Sequence, residues 1–261
     1  MSLRFDVLAA ALLALAAPLP AAAQGYLTPG SAPDAIRIMP PPPARSSPTE
    51  KADEAAVRAA RLKTRDTPRW ALATHDAQGG TQVLLDDFSC ALGARLDAQN
   101  APALTALLTR IGPDIGRMVG PAKDHYGRPR PFILDKAPIC TPHDGMLDRS
   151  GSYPSGHTTV GWAYALILAE LAPDRATEIM MRGRAYGESR VVCGVHYPSD
   201  LEAGRIAAAS VVAALHGNQG FRADMDKARA EVEAARRAGA AGAPAPAACL
   251  VQDEAAAHRP W

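Results

Sequence analysis

Three short strings of residues carry side chains that could perform chemistry together. They read K-x6-R-P over residues 123–131, P-S-G-H over residues 154–157, and S-R-x5-H-x3-D over residues 189–200. Between them they supply fixed cations, two histidines, hydroxyl groups and one carboxylate. These are the groups needed to hold a phosphate dianion and to attack its phosphorus without a metal. Each string alone is weak evidence, and the ordered set is strong.

The first string offers cations just before a proline. The Arg130 guanidinium is a planar fork of donors that binds two phosphate oxygens at once, and Lys123 adds a compact charge. Pro131 restricts the backbone after Arg130, and Arg128 places a further cation nearby. Read alone, the string also fits a solvated basic loop, because surface lysines and arginines are common.

The second string precedes the most apolar stretch of the chain. Backbone N–H groups at a helix start are free and suit an anion, and Gly156 lets the backbone approach a ligand closely. Ser155 adds a hydroxyl donor, and His157 stands where it could donate a proton. Taken singly, the string fits an ordinary serine-capped helix equally well.

The third string places a histidine four residues before a carboxylate. Arg190 is a further clamp for phosphate oxygens, and Asp200 can accept from one nitrogen of His196. The other imidazole nitrogen then keeps its lone pair, which makes His196 a candidate nucleophile. The alternative is that Asp200 merely supports a helix start and His196 is a loop residue.

The elements that must position these groups are helices. Alanine is abundant and alternating β-branched runs are scarce, so the composition predicts an all-α, single-domain helical bundle. Caps, prolines and apolar spacing predict helices starting near residues 47, 68, 81, 102, 113, 157, 173, 199 and 221. The start near Ser199 is interpreted as a capping box. Residues 127–153 are expected to form a long irregular loop.

The two ends of the chain differ in composition from its centre. Residues 1–23 have a positive start, an apolar stretch and small residues, which predicts a signal peptide cleaved after Ala23. A Pro-rich arm is predicted over 24–47, the helical domain over 48–238, and an Ala/Pro-rich tail over 239–261. The protein is therefore expected in the periplasm. The apolar stretch of this segment is too short for a comfortable membrane span, and no later apolar stretch is long enough for one.

The predicted export affects how the cysteines are interpreted. There are four of them, Cys90, Cys140, Cys193 and Cys249. An even count in an oxidising compartment favours disulfides, and the three pairings stay open. A thiol nucleophile at Cys193 is the weaker interpretation. Cysteine and histidine spacings do not suit zinc, so no metal and no cofactor are expected. The net charge of +1 points to neither nucleic acid nor an anionic membrane surface as a partner.

In these residues and their order, the chain closely resembles the bacterial class A non-specific acid phosphatases, within the phosphatidic acid phosphatase type 2 and vanadium haloperoxidase superfamily. The three-part signature matches at every specified letter, and residues 151–158 match the octapeptide of the class A subgroup. The resemblance covers most of the chain after the signal peptide. It implies an all-helical bundle and metal-free hydrolysis of phosphomonoesters through a phosphohistidine.

Carried over by position, the resemblance implies a role for each candidate residue. His196 resembles the nucleophile, Asp200 its orienting carboxylate, and His157 the acid that protonates the leaving oxygen. The residues that resemble the phosphate cradle are Lys123, Arg130, Ser155, Gly156 and Arg190. Small phosphomonoesters and inorganic phosphate are the implied partners, and the buried-looking helices permit a homodimer.

Three alternatives share these motifs in whole or part. A vanadate-dependent haloperoxidase would use the same pocket, because a site for pentavalent phosphorus also holds vanadate. An integral lipid phosphatase would need apolar spans. A non-catalytic periplasmic phosphate-binding protein would need only the cations. It would not need His157, His196 or Asp200. The sequence does not indicate the leaving group of the substrate. The candidates for the part of the pocket that contacts it are Leu147, Tyr153 and the 132–150 loop.

Overall fold

Every regular element in the described part of the chain is a helix, which confirms the predicted all-α fold. The computed structural model describes residues 24–143, 145–238 and 246–261. The α-helices in chain order are α1 Ala35–Ile38, α2 Pro48–Thr64, α3 Pro68–His75, α4 Thr81–Leu92, α5 Pro102–Arg110, α6 Gly112–Tyr126, α7 Pro131–Asp135, α8 Gly145–Arg149, α9 Gly156–Leu171, α10 Ala176–Val192, α11 Pro198–His216, α12 Gln219–Arg237 and α13 Pro246–Ala257. Among these residues, none of the helices is long and apolar enough to cross a membrane.

Prolines and caps set the helix starts, as the sequence predicts. The Ser47 hydroxyl accepts a hydrogen bond from the Glu50 amide at 3.2 Å, with Pro48 at the first helical position. Proline also occupies the first turn of α3, α5, α7 and α11. The break expected at Gly112 separates α5 from α6.

The apolar helix α9 lies at the centre of the molecule, between α10 and α11. Small residues allow this close packing. A Cβ on Gly161 of α9 would lie 2.3 Å from the Tyr186 ring of α10, and one on Gly204 of α11 would lie 2.8 Å from the Ser155 carbonyl. The start of α9, the end of α10 and the start of α11 therefore meet at one place, and each carries part of a motif.

Two predictions about local structure need correction. Helix α11 begins at Pro198 with Tyr197 as its N-cap, so Ser199 is inside the helix and is not a capping residue. The Asp200 carboxylate, three residues after the cap, accepts from the Tyr197 amide at 2.9 Å. The segment 127–153 is also less irregular than expected, because the short helices α7 and α8 lie within it.

The Pro-rich arm lies against the helical body. The amides of Tyr26 and Leu27 donate to the buried Asp114 carboxylate at 2.8 and 3.1 Å, and the Tyr153 hydroxyl donates to the Pro40 carbonyl at 2.5 Å. The predicted signal peptide falls outside the described residues. In the segment predicted as a tail, α13 packs on α10 and α3.

Two disulfides join the four cysteines, as Cys90–Cys249 and Cys140–Cys193. The first ties α13 to α4, and the second ties the 140–142 segment to the end of α10. The structure thus selects one of the three pairings. Cys193 is bonded and buried, so it is not a thiol nucleophile.

Removing the Cys90–Cys249 bond should lower stability with little effect on turnover. The bond closes a sequence separation of 159 residues, and native disulfides typically contribute about 2–4 kcal/mol. We expect a lower urea midpoint for the Cys90→Ala/Cys249→Ala variant and nearly unchanged activity, because neither cysteine lies in the three motifs. The Cys140→Ala/Cys193→Ala variant is the matched comparison. Peptide mapping without reduction that finds another pairing would contradict the assignment.

Candidate active site

The three strings converge on one cavity of about 300 Å³. Its lining residues are Ala77, Lys123, Arg130, Thr141, Pro142, Leu147, Ser150, Gly156, His157, Arg190 and His196. Six of the eight predicted site residues therefore line the cavity. The other two, Ser155 and Asp200, are fully buried just behind it.

The His196 ring is buried and held at both nitrogens. Its Nδ1 lies 3.2 Å from Asp200 Oδ2 and 3.3 Å from Ser152 Oγ, and its Nε2 lies 2.9 Å from Arg130 Nη1. A guanidinium can only donate, so Nε2 accepts and keeps the lone pair. Burial first, then Arg130, Lys123 and Arg190, hold the pKa of His196 well below its ordinary value. The ring is therefore neutral and can act as a nucleophile.

The Asp200 carboxylate is oriented by a second layer of buried groups. Its Oδ2 accepts from Ser152 Oγ at 2.5 Å, and its Oδ1 accepts from Arg128 Nη1 at 2.7 Å. Arg128 Nη2 donates to Asp53 Oδ2 at 2.9 Å, so the guanidinium bridges two carboxylates. Both pairs are almost fully buried. This arrangement fixes the carboxylate that fixes His196.

Sequence reasoning missed the roles of these supporting residues. The first string shows Arg128 only as a further cation near Arg130, and in the structure it pairs with Asp200 and Asp53. Ser152 sits inside the octapeptide, which is the signal that could have drawn attention to it. Asp53 lies in α2 with no motif around it, and we find no sequence signal that identifies it.

Arg190 is the cation best placed to take up an anion. It is 3% exposed, and its buried Nε and Nη1 find no hydrogen-bond partner in the part of the chain that the structure describes. Orphaned buried donors of this kind are costly unless a ligand satisfies them. The Arg130 guanidinium, by contrast, donates to backbone carbonyls of Val195 and Ser150 at 2.9 and 3.0 Å. Burial, then Arg190, lowers the pKa of Arg130 to about 10.

Lys123 is a cation whose charge depends on pH near neutrality. Its Nζ donates to the Gly151 carbonyl at 2.5 Å. Burial first, then Arg130, lowers the pKa of Lys123 to about 7. The side chain is therefore charged on the acid side of neutrality and loses its proton as the pH rises above 7.

Anion affinity should follow this titration. We expect sulfate, which stays a dianion over this pH range, to inhibit more weakly above pH 7, with its inhibition constant rising by up to about tenfold per pH unit. Lys123→Arg should remove this dependence, because a guanidinium buried beside it keeps a pKa of about 10. An equal pH dependence in both proteins, measured by competition against a chromogenic substrate, would show that another group titrates.

The start of α9 presents backbone donors to the cavity. Ser155 is the N-cap, and its Oγ accepts from the Thr158 amide at 3.3 Å and from the Thr158 hydroxyl at 2.9 Å. Because Oγ accepts both, its own hydrogen can still be donated. The amides of Gly156 and His157 occupy the first helical positions, where intrahelical acceptors are missing.

His157 lines the same cavity as His196 and is held by backbone and ring contacts. Its Nε2 lies 3.2 Å from the Ala77 carbonyl, and its ring lies parallel to that of Tyr186 with centroids 6.0 Å apart. A carbonyl only accepts, so Nε2 carries hydrogen and Nδ1 is left for proton exchange. Burial, then Arg190, lowers the pKa of His157 to about 3, while the Ala77 carbonyl favours the charged form.

The wall beyond the cations is small and partly apolar. Leu147, suggested for the leaving-group wall, lines the cavity together with Thr141 and Pro142. The suggestion of Tyr153 was wrong. Its ring is 2% exposed and packs edge-on against Tyr126, away from the cavity.

The known proteins that this chain resembles are phosphatases of one superfamily. Residues 101–223 match the family model of the PAP2 superfamily. The chain is 45% identical to an "Acid phosphatase" of Zymomonas mobilis over 78% of its own length and 77% of that protein. It is 39% identical to a "Non-specific acid phosphatase" of Providencia stuartii, over 79% and 84%, and 36% identical to one of Salmonella typhimurium, over 74% and 78%.

The solved structures that match this chain include one of a membrane phosphatase. It is the crystal structure of a transmembrane PAP2-type phosphatidylglycerolphosphate phosphatase from Bacillus subtilis, at a TM-score of 0.48 and 21% identity. The match covers 70% of this chain and 89% of that one.

Proposed function

The chain belongs to the PAP2 superfamily and, within it, to the bacterial non-specific acid phosphatases, and from this premise we propose that it hydrolyses small phosphomonoesters through a phosphohistidine at His196. That it is a phosphatase follows from the relatives, which are named for this activity. The residue roles and the covalent intermediate are the proposal. Because the relatives are named as phosphatases, we do not favour the haloperoxidase or the non-catalytic binding protein.

One observation carries the proposal. The neutral His196 ring, with Nε2 unprotonated, lines a cavity that is also lined by Lys123, Arg130 and Arg190 and, among its lining residues, has no carboxylate. The positive charges of these three residues favour the binding of a dianion. Arg190 also supplies donors that no described protein group uses. The nucleophile and the charge that attracts phosphate thus share one small space.

In the first step, His196 Nε2 attacks phosphorus in line. The P–N bond forms as the P–O bond to the leaving group breaks, and His157 Nδ1 delivers its proton to the departing oxygen. Asp200 stabilises the positive charge that the ring acquires. The three cations stabilise the equatorial oxygens, which is the main electrostatic contribution. The bound dianion offsets the repulsion from Arg190 and raises the pKa of His157, which supports its charged form.

In the second step, water replaces the histidine. Neutral His157 Nδ1 takes a proton from the water as its oxygen attacks phosphorus, and the P–N bond breaks. Inorganic phosphate leaves, and both rings return to their starting states. The balance needs no group beyond water and the residues already named.

The experiment that tests this proposal is direct. Purified protein is assayed with p-nitrophenyl phosphate on the acid side of neutrality, with and without EDTA, and then denatured during turnover. We expect hydrolysis that EDTA leaves unchanged, and an acid-labile, alkali-stable phosphoryl group on the peptide containing His196. Strong EDTA inhibition, or a phosphoryl group on a different residue, would overturn the mechanism.

We also propose that the protein acts in the periplasm, on the strength of the signal features in residues 1–23. N-terminal sequencing of protein from the periplasmic fraction should give Gln24, and retention of Met1 would refute this. The homodimer suggested by the sequence stays a prediction, which sedimentation can test.

A further inference from the structure

A second buried cluster of charged groups lies outside the cavity and joins the end of α3 to one face of α10. Asp76 follows α3, and its Oδ1 accepts from Arg182 Nη2 at 2.6 Å while its Oδ2 accepts from Ser189 Oγ at 2.5 Å. Arg69 Nη1 donates to the same Ser189 oxygen at 2.9 Å. Arg182 and Ser189 share one face of α10, two turns apart. We call these four residues the Asp76 cluster.

Each end of the Asp76 cluster is one residue away from a group of the site. Ala77 follows Asp76, and its carbonyl accepts from His157 Nε2 at 3.2 Å. Arg190 follows Ser189 and lines the cavity. The cluster therefore fixes two neighbouring parts of the cavity wall from behind.

The packing around the His157 ring leads back to the same cluster. One face of the ring lies along Tyr186, which sits on α10 between Arg182 and Ser189. The Arg182 guanidinium carbon is 5.7 Å from the centroid of the Tyr186 ring. Asp76 and Arg182 are both at most 2% exposed, so water does not screen the pair.

We propose that Asp76 is the positioning residue for the proton donor, holding the Ala77 carbonyl against His157. This rests on the proposed function, in which His157 delivers the proton. The role parallels that of Asp200 on the other side of the cavity, where a buried carboxylate paired with Arg128 orients His196. Each histidine thus has its own buried carboxylate–arginine support.

A positioning role for Asp76 predicts different effects on alkyl and aryl phosphates, whereas a merely structural role predicts the same effect on both. The Ala77 carbonyl fixes hydrogen on Nε2 and so aims Nδ1 at the leaving oxygen. If the turn after α3 shifts, proton delivery fails while the cations still bind phosphate. An alkoxide needs that proton to leave, whereas nitrophenolate leaves readily without it. Loss of Asp76 should therefore harm alkyl phosphates far more than p-nitrophenyl phosphate.

The test compares kcat/KM for glycerol phosphate and p-nitrophenyl phosphate, since this ratio reports the first phosphoryl transfer. For Asp76→Asn and Ser189→Ala we expect about a hundredfold loss on the alkyl ester, as for a misplaced catalytic group, and only a few-fold loss on the aryl ester. Arg182 keeps Asp87 at 3.3 Å as a second carboxylate partner in both variants.

The matched control is another fully buried aspartate, Asp114, which holds the arm through the amides of Tyr26 and Leu27. Asp114→Asn should lower the melting temperature yet change both substrates by the same factor. If Asp76→Asn does not fold, Ser189→Ala decides the matter, because it removes one hydroxyl and leaves the ion pair. Equal losses on the two esters in the folded variant would overturn the positioning role.

His157→Ala separates the two levels of the hypothesis. A selective loss on the alkyl ester in His157→Ala, without one in the Asp76 cluster variants, would refute only the role of Asp76. A non-selective loss in His157→Ala would refute the proton donor itself, and the role of Asp76 with it. A selective loss in both supports the whole assignment.

Discussion

His196→Ala should hydrolyse p-nitrophenyl phosphate at least about 10⁴-fold more slowly than the natural protein, since loss of a nucleophile removes the covalent route altogether. The ring is buried, and its unprotonated Nε2 lies 2.9 Å from Arg130 Nη1. The cations remain, so sulfate should still bind. The measurements are steady-state turnover and trapping of the phosphoryl-enzyme.

The control for this variant is His216→Ala. His216 ends α11, the helix that begins beside His196, and pairs with Glu170 at the surface. It should keep its activity and form the intermediate normally. Substantial turnover by His196→Ala, or a phosphoryl group trapped in that variant, would assign the nucleophile elsewhere.

Asp200→Asn should cause the second-largest loss, in both activity and stability. The amide cannot accept from the His196 ring, the Tyr197 amide, Ser152 and Arg128 as the carboxylate does. By analogy with other histidine–aspartate pairs, we expect kcat to fall by about 10³- to 10⁴-fold. Breaking a buried ion pair costs about 3–5 kcal/mol, so the urea midpoint should fall as well.

Asp53→Asn separates the two effects of that change. Asp53 pairs with the same Arg128 guanidinium, at 2.9 Å, without contacting His196. It should lower the urea midpoint to a similar degree while retaining far more activity than Asp200→Asn. Equal activity losses in the two variants would mean that Asp200 acts through the stability of the local fold and has no separate effect on the imidazole.

The location of the candidate catalytic groups could be predicted because their signals are local. A serine cap, a glycine and a histidine at one helix start are adjacent in the chain, and the spacing from His196 to Asp200 spans about one helical turn. Proline-marked starts and apolar spacing likewise depend on a few neighbouring residues. Hence the all-α fold, most helix starts and the six motif residues that line the cavity could be predicted from the sequence.

Supporting residues were out of reach because their partners are distant in the chain. Asp53 meets Arg128 across 75 positions, and Asp76 meets Ser189 across 113. A buried ion pair forms only where packing removes both groups from water, and no short pattern records that event. The same holds for the cysteine pairs, which depend on where α13 docks.

Arg128 and Arg130 show the difference between what the sequence predicts and what only the tertiary structure decides. They are two residues apart in one string and chemically identical, so the sequence established only that cations stand there. Packing turns Arg130 to the cavity and Arg128 to the carboxylates of Asp53 and Asp200. The chemistry available to this protein was thus set by local residue types and spacing. The division between groups that meet phosphate and groups that hold them in place was set by long-range burial, because burial determines which charges must pair.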